Sequence, residues 1–210
     1  MPLLDKEGND VTETGYTYSV MAYLREAQEK SSNEYMVALA TATENYGTAA
    51  QIKFDYSASG LSIAPEVTAV TLSDLAEFAP VYTGTLPNGI VSNTSSMELN
   101  EDNTVRQYFT LEAGRDINAY TFTLDGAVVT PVLSSANKYY VALPNIAAKD
   151  LDVVHQYSVT DGTNTYSFSF SALSYVYKAI TGSTQESMIN LAKALFLYNQ
   201  AANEYFAHKN

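Results

Sequence analysis

The apolar positions of the chain have the period of a helix at both ends and the period of a strand between them. Near the start, the segment 33–54 places Met36, Leu39 and Tyr46 on one face. Apolar residues spaced by three and four positions predict an amphipathic helix. A shorter helix is predicted over 19–30, and the few residues between the two predict a helical hairpin.

This hairpin pattern occurs twice in the chain. Tyr18–Phe54 aligns with Phe170–Phe206 without a gap, at a constant offset of 152 residues. An ungapped internal match of this length is strong information about architecture. The identical pairs are Ser19/Ser171, Tyr23/Tyr175, Ala27/Ala179, Ser31/Ser183, Glu34/Glu186, Met36/Met188, Leu39/Leu191, Ala40/Ala192, Ala42/Ala194, Tyr46/Tyr198, Ala49/Ala201, Ala50/Ala202 and Phe54/Phe206.

Both copies carry an S-x-x-E signature between their two helices, from Ser31 to Glu34 and from Ser183 to Glu186. This spacing predicts a capping box in which the serine opens the second helix of the hairpin. Small residues on the second helix allow another helix to approach closely. Because one hairpin buries too little to be stable, we predict that the two hairpins pack together as a four-helix bundle.

The region between the hairpins alternates apolar and polar residues, with turn residues at regular spacing. This pattern predicts an antiparallel sandwich, immunoglobulin-like and of about seven strands. The predicted strands are 91–99, 104–112, 117–124, 127–133, 138–143, 153–160 and 163–170. A further strand over 63–72 and a short helical turn over 73–78 are also predicted. The fold class is therefore α+β.

The pattern divides the chain into four parts. They are the end of a preceding strand or linker at 1–17, the first hairpin at 18–56, the β-sandwich at 62–170 and the second hairpin at 171–208. Either the sandwich is inserted between the hairpins, or a sandwich-plus-hairpin unit repeats in a longer protein. We expect Met1 to lie inside a longer protein, because Asp5 onward already has the character of mid-domain sequence. The oligomeric state stays open.

Composition and charge narrow the functional classes. The net charge is −12, from 11 basic and 23 acidic residues, and the basic residues are scattered. Nucleic-acid binding and anionic membrane surfaces are therefore disfavoured as partners. No apolar run is long enough for a membrane span. The absence of cysteine excludes disulfides, thiol catalysis and cysteine-ligated metals. Abundant Tyr, Thr and Asn are typical of an extracellular module.

Several segments resemble a known module. They are Tyr46–Gln51, Ser171–Tyr175, Ala194–Ala202 and the stretch from Tyr139 to Asp152. They are similar to a C-terminal module, combining a sandwich and a helical hairpin, of large secreted or cell-surface proteins from Gram-positive clostridial gut anaerobes. The resemblance covers nearly the whole chain. It implies an extracellular or cell-surface location and neighbouring domains in a parent protein, and it implies no catalytic residue.

The titratable residues form no recognisable catalytic pattern. Only His155 could serve a serine triad, and no G-x-S-x-G elbow accompanies it. We expect His155 at a sheet face and His208 in solvent. Paired carboxylates for glycoside hydrolysis and a calcium site in 100–103 or 149–152 are weaker alternatives, and no other metal or cofactor is expected. The candidate carboxylates are Glu98, Glu101, Asp102, Glu112 and Asp116.

Exposed tyrosines are the best candidates for binding. Tyr139 and Tyr140 are adjacent in a predicted strand and therefore point to opposite faces. Tyr108 has the opposite parity to Phe109 and is expected to face outward. We expect a non-catalytic extracellular spacer or interaction module that contacts neighbouring domains or a surface glycan or protein. The alternatives are a carbohydrate-binding module using Tyr108, Tyr139 or Tyr140 and, more distantly, a hydrolase.

Overall fold

The computed structural model describes residues 19–99 and 103–209, in which five α-helices and nine β-strands occur. The helices are α1 (Val20–Lys30), α2 (Glu34–Phe54), α3 (Pro65–Ala69), α4 (Ala172–Gly182) and α5 (Glu186–Ala207). The strands are β1 (Val81–Gly84), β2 (Ile90–Leu99), β3 (Asn103–Leu111), β4 (Thr121–Leu124), β5 (Ala127–Val129), β6 (Val132–Ser135), β7 (Lys138–Ile146), β8 (His155–Thr160) and β9 (Thr165–Phe170). Short 3-10 helices lie at Leu72–Phe78, Ile117–Ala119 and Ala148–Asp150. The predicted segment 1–17 lies outside the described residues.

The strands form two sheets in which every pairing is antiparallel. One sheet has the order β1-β9-β8-β4-β5, and the other has the order β2-β3-β7-β6. The inner faces of the two sheets meet at Phe109, whose ring lies 5.0 Å from that of Phe122 and 6.4 Å from that of Phe168. The α+β class with two antiparallel sheets is therefore confirmed.

The strand boundaries differ from prediction where proline intervenes. The predicted strand 127–133 is two strands in different sheets, because Pro131 cannot donate a hydrogen bond to a sheet ladder. The prediction of a strand over 63–72 is wrong. Pro65 instead occupies the first turn of α3, where its missing N–H costs nothing and its fixed φ suits a helix. With β1 added, the described residues form nine strands rather than about seven.

The two hairpins contact each other, as predicted, through α2 and α5. The rings of Tyr46 and Tyr198 stack with their centroids 5.6 Å apart and their planes 3° apart. Beside them a small cluster buries Ala49, Leu191 and Ala194. The other principal helix contacts join α1 to α2 and α4 to α5. Each hairpin therefore completes its apolar face against the other.

The second hairpin also belongs to the core of the sheets. Leu173 and Val176 of α4, with Leu195 and Phe196 of α5, are buried in the same cluster as the inner sheet residues. The two copies differ in burial, because α5 buries many more side chains than α2 does. The sheets and the second hairpin form one apolar core, and the first hairpin lies on α5.

The predicted capping box is wrong at both sites. Ser31 ends α1 instead of opening α2, and its Oγ accepts a hydrogen bond from the Asn33 N–H at 3.1 Å. Asn33 is the N-cap, and its side chain accepts from the N–H groups of Tyr35 and Met36. Ser183 makes the same turn with the Gln185 N–H at 3.1 Å. Gln185, at the N-cap of α5, makes no side-chain capping bond.

The caps give a stability prediction with opposite signs in the two copies. Asn33→Ala should lower the free energy of unfolding by about 0.5–2 kcal/mol, the range for losing a helix N-cap. Gln185→Asn should raise it by about 0.5–1 kcal/mol, because a shorter amide can then bond the first turn of α5. Urea denaturation of both variants measures this. Equal midpoints for Asn33→Ala and the parent chain would contradict the assignment.

Candidate functional site

The strand β3 separates an inner from an outer surface of its sheet. Val105, Gln107, Phe109 and Leu111 are buried and alternate with half-buried residues that point the other way. This period of two is expected for a sheet with one face in the core. The outward residues of β3 include Arg106 and Tyr108.

Cross-strand pairing brings two of the candidate tyrosines together on the outer surface. Tyr108 of β3 lies directly opposite Tyr140 of β7 in the ladder. Their ring centroids are 5.6 Å apart and their planes are tilted by 53°. Within the described residues, neither ring makes a hydrogen bond, ion pair or ring contact with a helix. Both side chains are half-buried, so part of each ring is exposed in the middle of the sheet.

Two cations flank the tyrosine pair. The Arg106 guanidinium lies 4.6 Å from the centre of the Tyr140 ring, and the Lys138 ammonium lies 4.4 Å from the centre of the Tyr108 ring. Both distances are within the range of cation–π attraction. Arg106 is further held by Glu98, at 2.6 Å between Nη1 and Oε1. We call Tyr108, Tyr140, Arg106 and Lys138 the aromatic–basic patch.

The charge of the aromatic–basic patch is opposite to that of the chain. Glu98, Arg106 and Lys138 are the charged residues in the described parts of β2, β3, β6 and β7, so the local balance is positive. Burial acts to raise the pKa of Tyr108, but polar contacts with Ser96 and Arg106 and the Arg106 charge bring that pKa below its usual value. The patch therefore offers positive charge beside aromatic rings.

The third candidate tyrosine is separated from the other two. Tyr139 lies opposite Phe109 in the ladder, on the inner surface, and it packs against the main core. Adjacent positions in a strand point to opposite faces. Tyr139 is therefore a packing residue, and only Tyr108 and Tyr140 reach the outer surface as a pair.

The histidines have structural surroundings. His155 Nδ1 lies 2.7 Å from Asp125 Oδ2, in the turn after β4. Asp125 also accepts from the Gln156 N–H at 2.8 Å. Burial acts to raise the pKa of Asp125, but these two hydrogen bonds and the charge of His155 bring that pKa below its usual value. His208 is exposed and stacks on Tyr35 at 4.1 Å.

The candidate carboxylates are engaged separately. Glu112 pairs with Arg115 at 3.1 Å, and Asp116 caps the following 3-10 helix. Asp152 accepts from Asn203 at 3.0 Å. Glu101 and Asp102, with most of the proposed calcium segment 100–103, lie outside the described residues. In the rest of the chain no three His, Asp or Glu side chains are grouped to hold a metal ion.

One polar cluster was not predicted from the sequence. Lys178 Nζ lies 3.3 Å from Ser95 Oγ and 3.5 Å from the Tyr82 hydroxyl, at the wall of a pocket of about 370 Å³. Burial lowers the pKa of Lys178, which favours its action as a base. Acyl transfer also needs donors that stabilise an oxyanion. A lysine and a hydroxyl alone are therefore not a catalytic site, and they fit a structural tie between α4 and β2.

An apolar pocket of about 400 Å³ lies where α2, α5 and the end of β2 meet. Its wall includes Met97, Leu99, Met188 and Leu195, together with Lys53. Apolar pockets of this size commonly accept small molecules. This one has few polar groups that would select a ligand, so the aromatic–basic patch is the better-defined candidate.

Comparison with protein-family models, curated proteins and solved structures gives no match. In the described segments, no helix combines the length and the apolar character needed to cross a bilayer.

Proposed function

We propose that the chain is a non-catalytic extracellular module of a larger secreted or surface protein, and that it binds carbohydrate. The aromatic–basic patch is the binding surface. The observation that supports this proposal is the facing pair Tyr108 and Tyr140 on the outer surface of a sheet whose other side is buried. Neighbouring domains of the parent protein would be its covalent partners.

The physical basis of the proposal is the amphipathic character of tyrosine. The ring offers an apolar face to the C–H groups of a sugar, and the hydroxyl offers a hydrogen bond. Tyr108 and Tyr140 are held in place by the sheet and by the cations beside them, so little conformational entropy is lost on binding. The spacing of 5.6 Å between their centroids is suited to one or two sugar units.

The cations specify the chemical class of the sugar. Arg106, Lys138 and Glu98 together leave a net positive charge beside the rings, whereas the whole chain has a net charge of −12. A neutral polymer gains nothing from this charge, and a carboxylate or sulfate gains a charge-assisted hydrogen bond. We therefore propose an acidic polysaccharide as the ligand.

Tyr140→Ala is expected to abolish binding to an acidic polysaccharide such as polygalacturonate. Its cost in unfolding free energy should be about 1 kcal/mol, because a half-exposed cross-strand pair contributes little. Affinity electrophoresis in gels containing the polymer measures binding, and urea denaturation measures stability. The matched control is Tyr139→Ala, which removes the same side chain from the inner surface and should destabilise the chain more while retaining binding.

Arg106→Gln and added salt both test the contribution of charge to binding. Arg106→Gln should weaken binding to the acidic polymer because it removes a positive charge, and added salt should weaken it because exposed charge pairs are screened. Equal retardation by the acidic polymer and by its neutral methyl ester would contradict the proposed ligand class. No retardation by either polymer would favour a pure spacer.

We propose that the two sheets form an immunoglobulin-like sandwich and that the four long helices form a bundle. The support is the inner contact between Phe109 and Phe122 and the pairing of α2 with α5.

A further inference from the structure

The repeat in the sequence is reproduced in the backbone and the caps. At the offset of 152 residues, the bounds of α1 coincide with those of α4, and α2 and α5 begin at equivalent glutamates. Ser19 and Ser171 both cap the first helix, each accepting from the N–H three residues later. The two hairpins are therefore copies of one structural unit.

The two copies pack against each other in an antiparallel manner. Residue numbers fall along α5 as they rise along α2. Tyr35 stacks on His208 just beyond the end of α5, Tyr46 stacks on Tyr198, and Lys53 Nζ donates to Gln185 Oε1 at 2.6 Å. The Tyr46–Tyr198 contact lies near the middle of this series.

Tyr46 and Tyr198 are equivalent positions of the repeat, and they touch each other. Ala49 of the first hairpin packs with Ala194 of the second, and Ala194 is the position equivalent to Ala42. Ala42 is also buried, with 7% of its surface exposed. A contact between equivalent residues, with antiparallel neighbours on both sides, is the signature of a twofold relation. Such an interface is isologous, meaning that one surface pairs with another copy of itself.

The first hairpin is attached mainly through this interface. In the described range, Tyr46 is the one apolar residue of the first hairpin that packs against the main core, whereas α4 and α5 contribute many side chains to that core. Releasing the first hairpin would therefore leave the sheets, α4 and α5 together. It would also expose the side of α5 that the first hairpin covers, around Leu191, Ala194 and Tyr198, while Val67 of α3 stays packed beside Leu191 and Ala194.

We propose that this surface of α5 is a self-association surface, occupied in one chain by the first hairpin and available to α5 of a second copy when that hairpin is released. The partner is a second copy because the surface already binds its own repeat. In the resulting twofold dimer, Tyr198 stacks on Tyr198 of the other chain. This inference is independent of carbohydrate binding.

The test uses the full chain with Ala49→Glu, which puts a carboxylate at a fully buried position of the first hairpin and leaves α5 unchanged. Light scattering after size exclusion should give twice the monomer mass. Because the chain has no cysteine, adding Tyr198→Cys should yield an oxidised dimer in this background and none in the parent background. Ser134→Cys, at an exposed position of β6, is the matched control.

A second change identifies the surface. Ala49→Glu combined with Ala194→Glu removes both copies of the interface and should restore the monomer. A folded monomer for Ala49→Glu alone, or a dimer that does not crosslink through Tyr198→Cys, would overturn the proposal. If Ala49→Glu unfolds non-cooperatively, Tyr46→Ala replaces it as a milder release of the first hairpin, with the same mass and crosslinking criteria.

Discussion

Replacing Phe168 by alanine is expected to lower the free energy of unfolding by about 3–5 kcal/mol, the range for large-to-small changes of core aromatics. Phe168 is 2% exposed and lies in β9, between β1 and β8. Its ring stacks on Tyr157 at 5.1 Å and contacts Phe109 of the other sheet. The side chain therefore joins three strands of one sheet to the facing sheet.

The loss should be large relative to total stability, which for a domain is typically about 5–15 kcal/mol. Guanidinium denaturation followed by tyrosine fluorescence and circular dichroism measures the change. Ser167→Ala is the matched control on the outer side of the same strand, and it should change stability by less than about 0.5 kcal/mol. Similar losses for both variants would mean that the sheets do not depend on this ring.

The helices could be predicted from the sequence because their periodicity is long and occurs twice. The same pattern in both copies predicts the bounds of α1, α2, α4 and α5 to within a residue or two. The capping residue could not be predicted, because Ser31 and Asn33 are both good N-caps. The backbone turn between the helices places Asn33, and not Ser31, at the N-cap of α2.

The strand β1 was not predicted from the sequence. All four residues of β1 are exposed, so they show no alternation. It is a strand because it pairs with β9. Such pairing depends on the tertiary fold and cannot be read from the strand propensity of the segment alone.

The candidate site was only partly predictable. Strand parity predicted that Tyr139 and Tyr140 face opposite ways, and the structure assigns Tyr140 to the outer surface. The residues that lie beside a tyrosine depend on the register between paired strands. The hydrophobic pattern specifies that register only when the pairing of the strands is known. The facing of Tyr108 and Tyr140, the cations beside them and the contact between Lys178 and Ser95 all depend on such long-range placement.

Alkaline pH should destabilise the chain strongly, because several tyrosines are buried or half-buried. Burial, with a smaller contribution from Tyr198, raises the pKa of Tyr46 to about 12. Burial, with Tyr82 beside it, raises the pKa of Tyr166 to about 12. Burial, and then the Asp125 charge, raises the pKa of Tyr157 well above its usual value.

The sign of the effect follows from linkage. A tyrosine whose pKa is raised by folding releases its proton more easily when unfolded, so stability is complete below about pH 10 and falls as pH rises further. One pKa unit corresponds to about 1.4 kcal/mol, so Tyr46 alone contributes a loss of about 2–3 kcal/mol by pH 12. Urea midpoints measured at pH 8, 10 and 11.5 should fall slightly between the first two values and much more steeply between the second and the third.

Tyr157→Phe tests the same mechanism at a single residue. Its hydroxyl is buried, and in the described residues it has no hydrogen-bond partner. An unsatisfied buried polar group costs about 1–3 kcal/mol, so Tyr157→Phe should raise the urea midpoint at pH 8 as well as reduce the alkaline loss. Tyr140→Phe is the control, because a half-exposed ring should change neither quantity appreciably. A lower midpoint for Tyr157→Phe at pH 8 would show that its hydroxyl is bonded in solution, and the alkaline loss would then be assigned to Tyr46 and Tyr166.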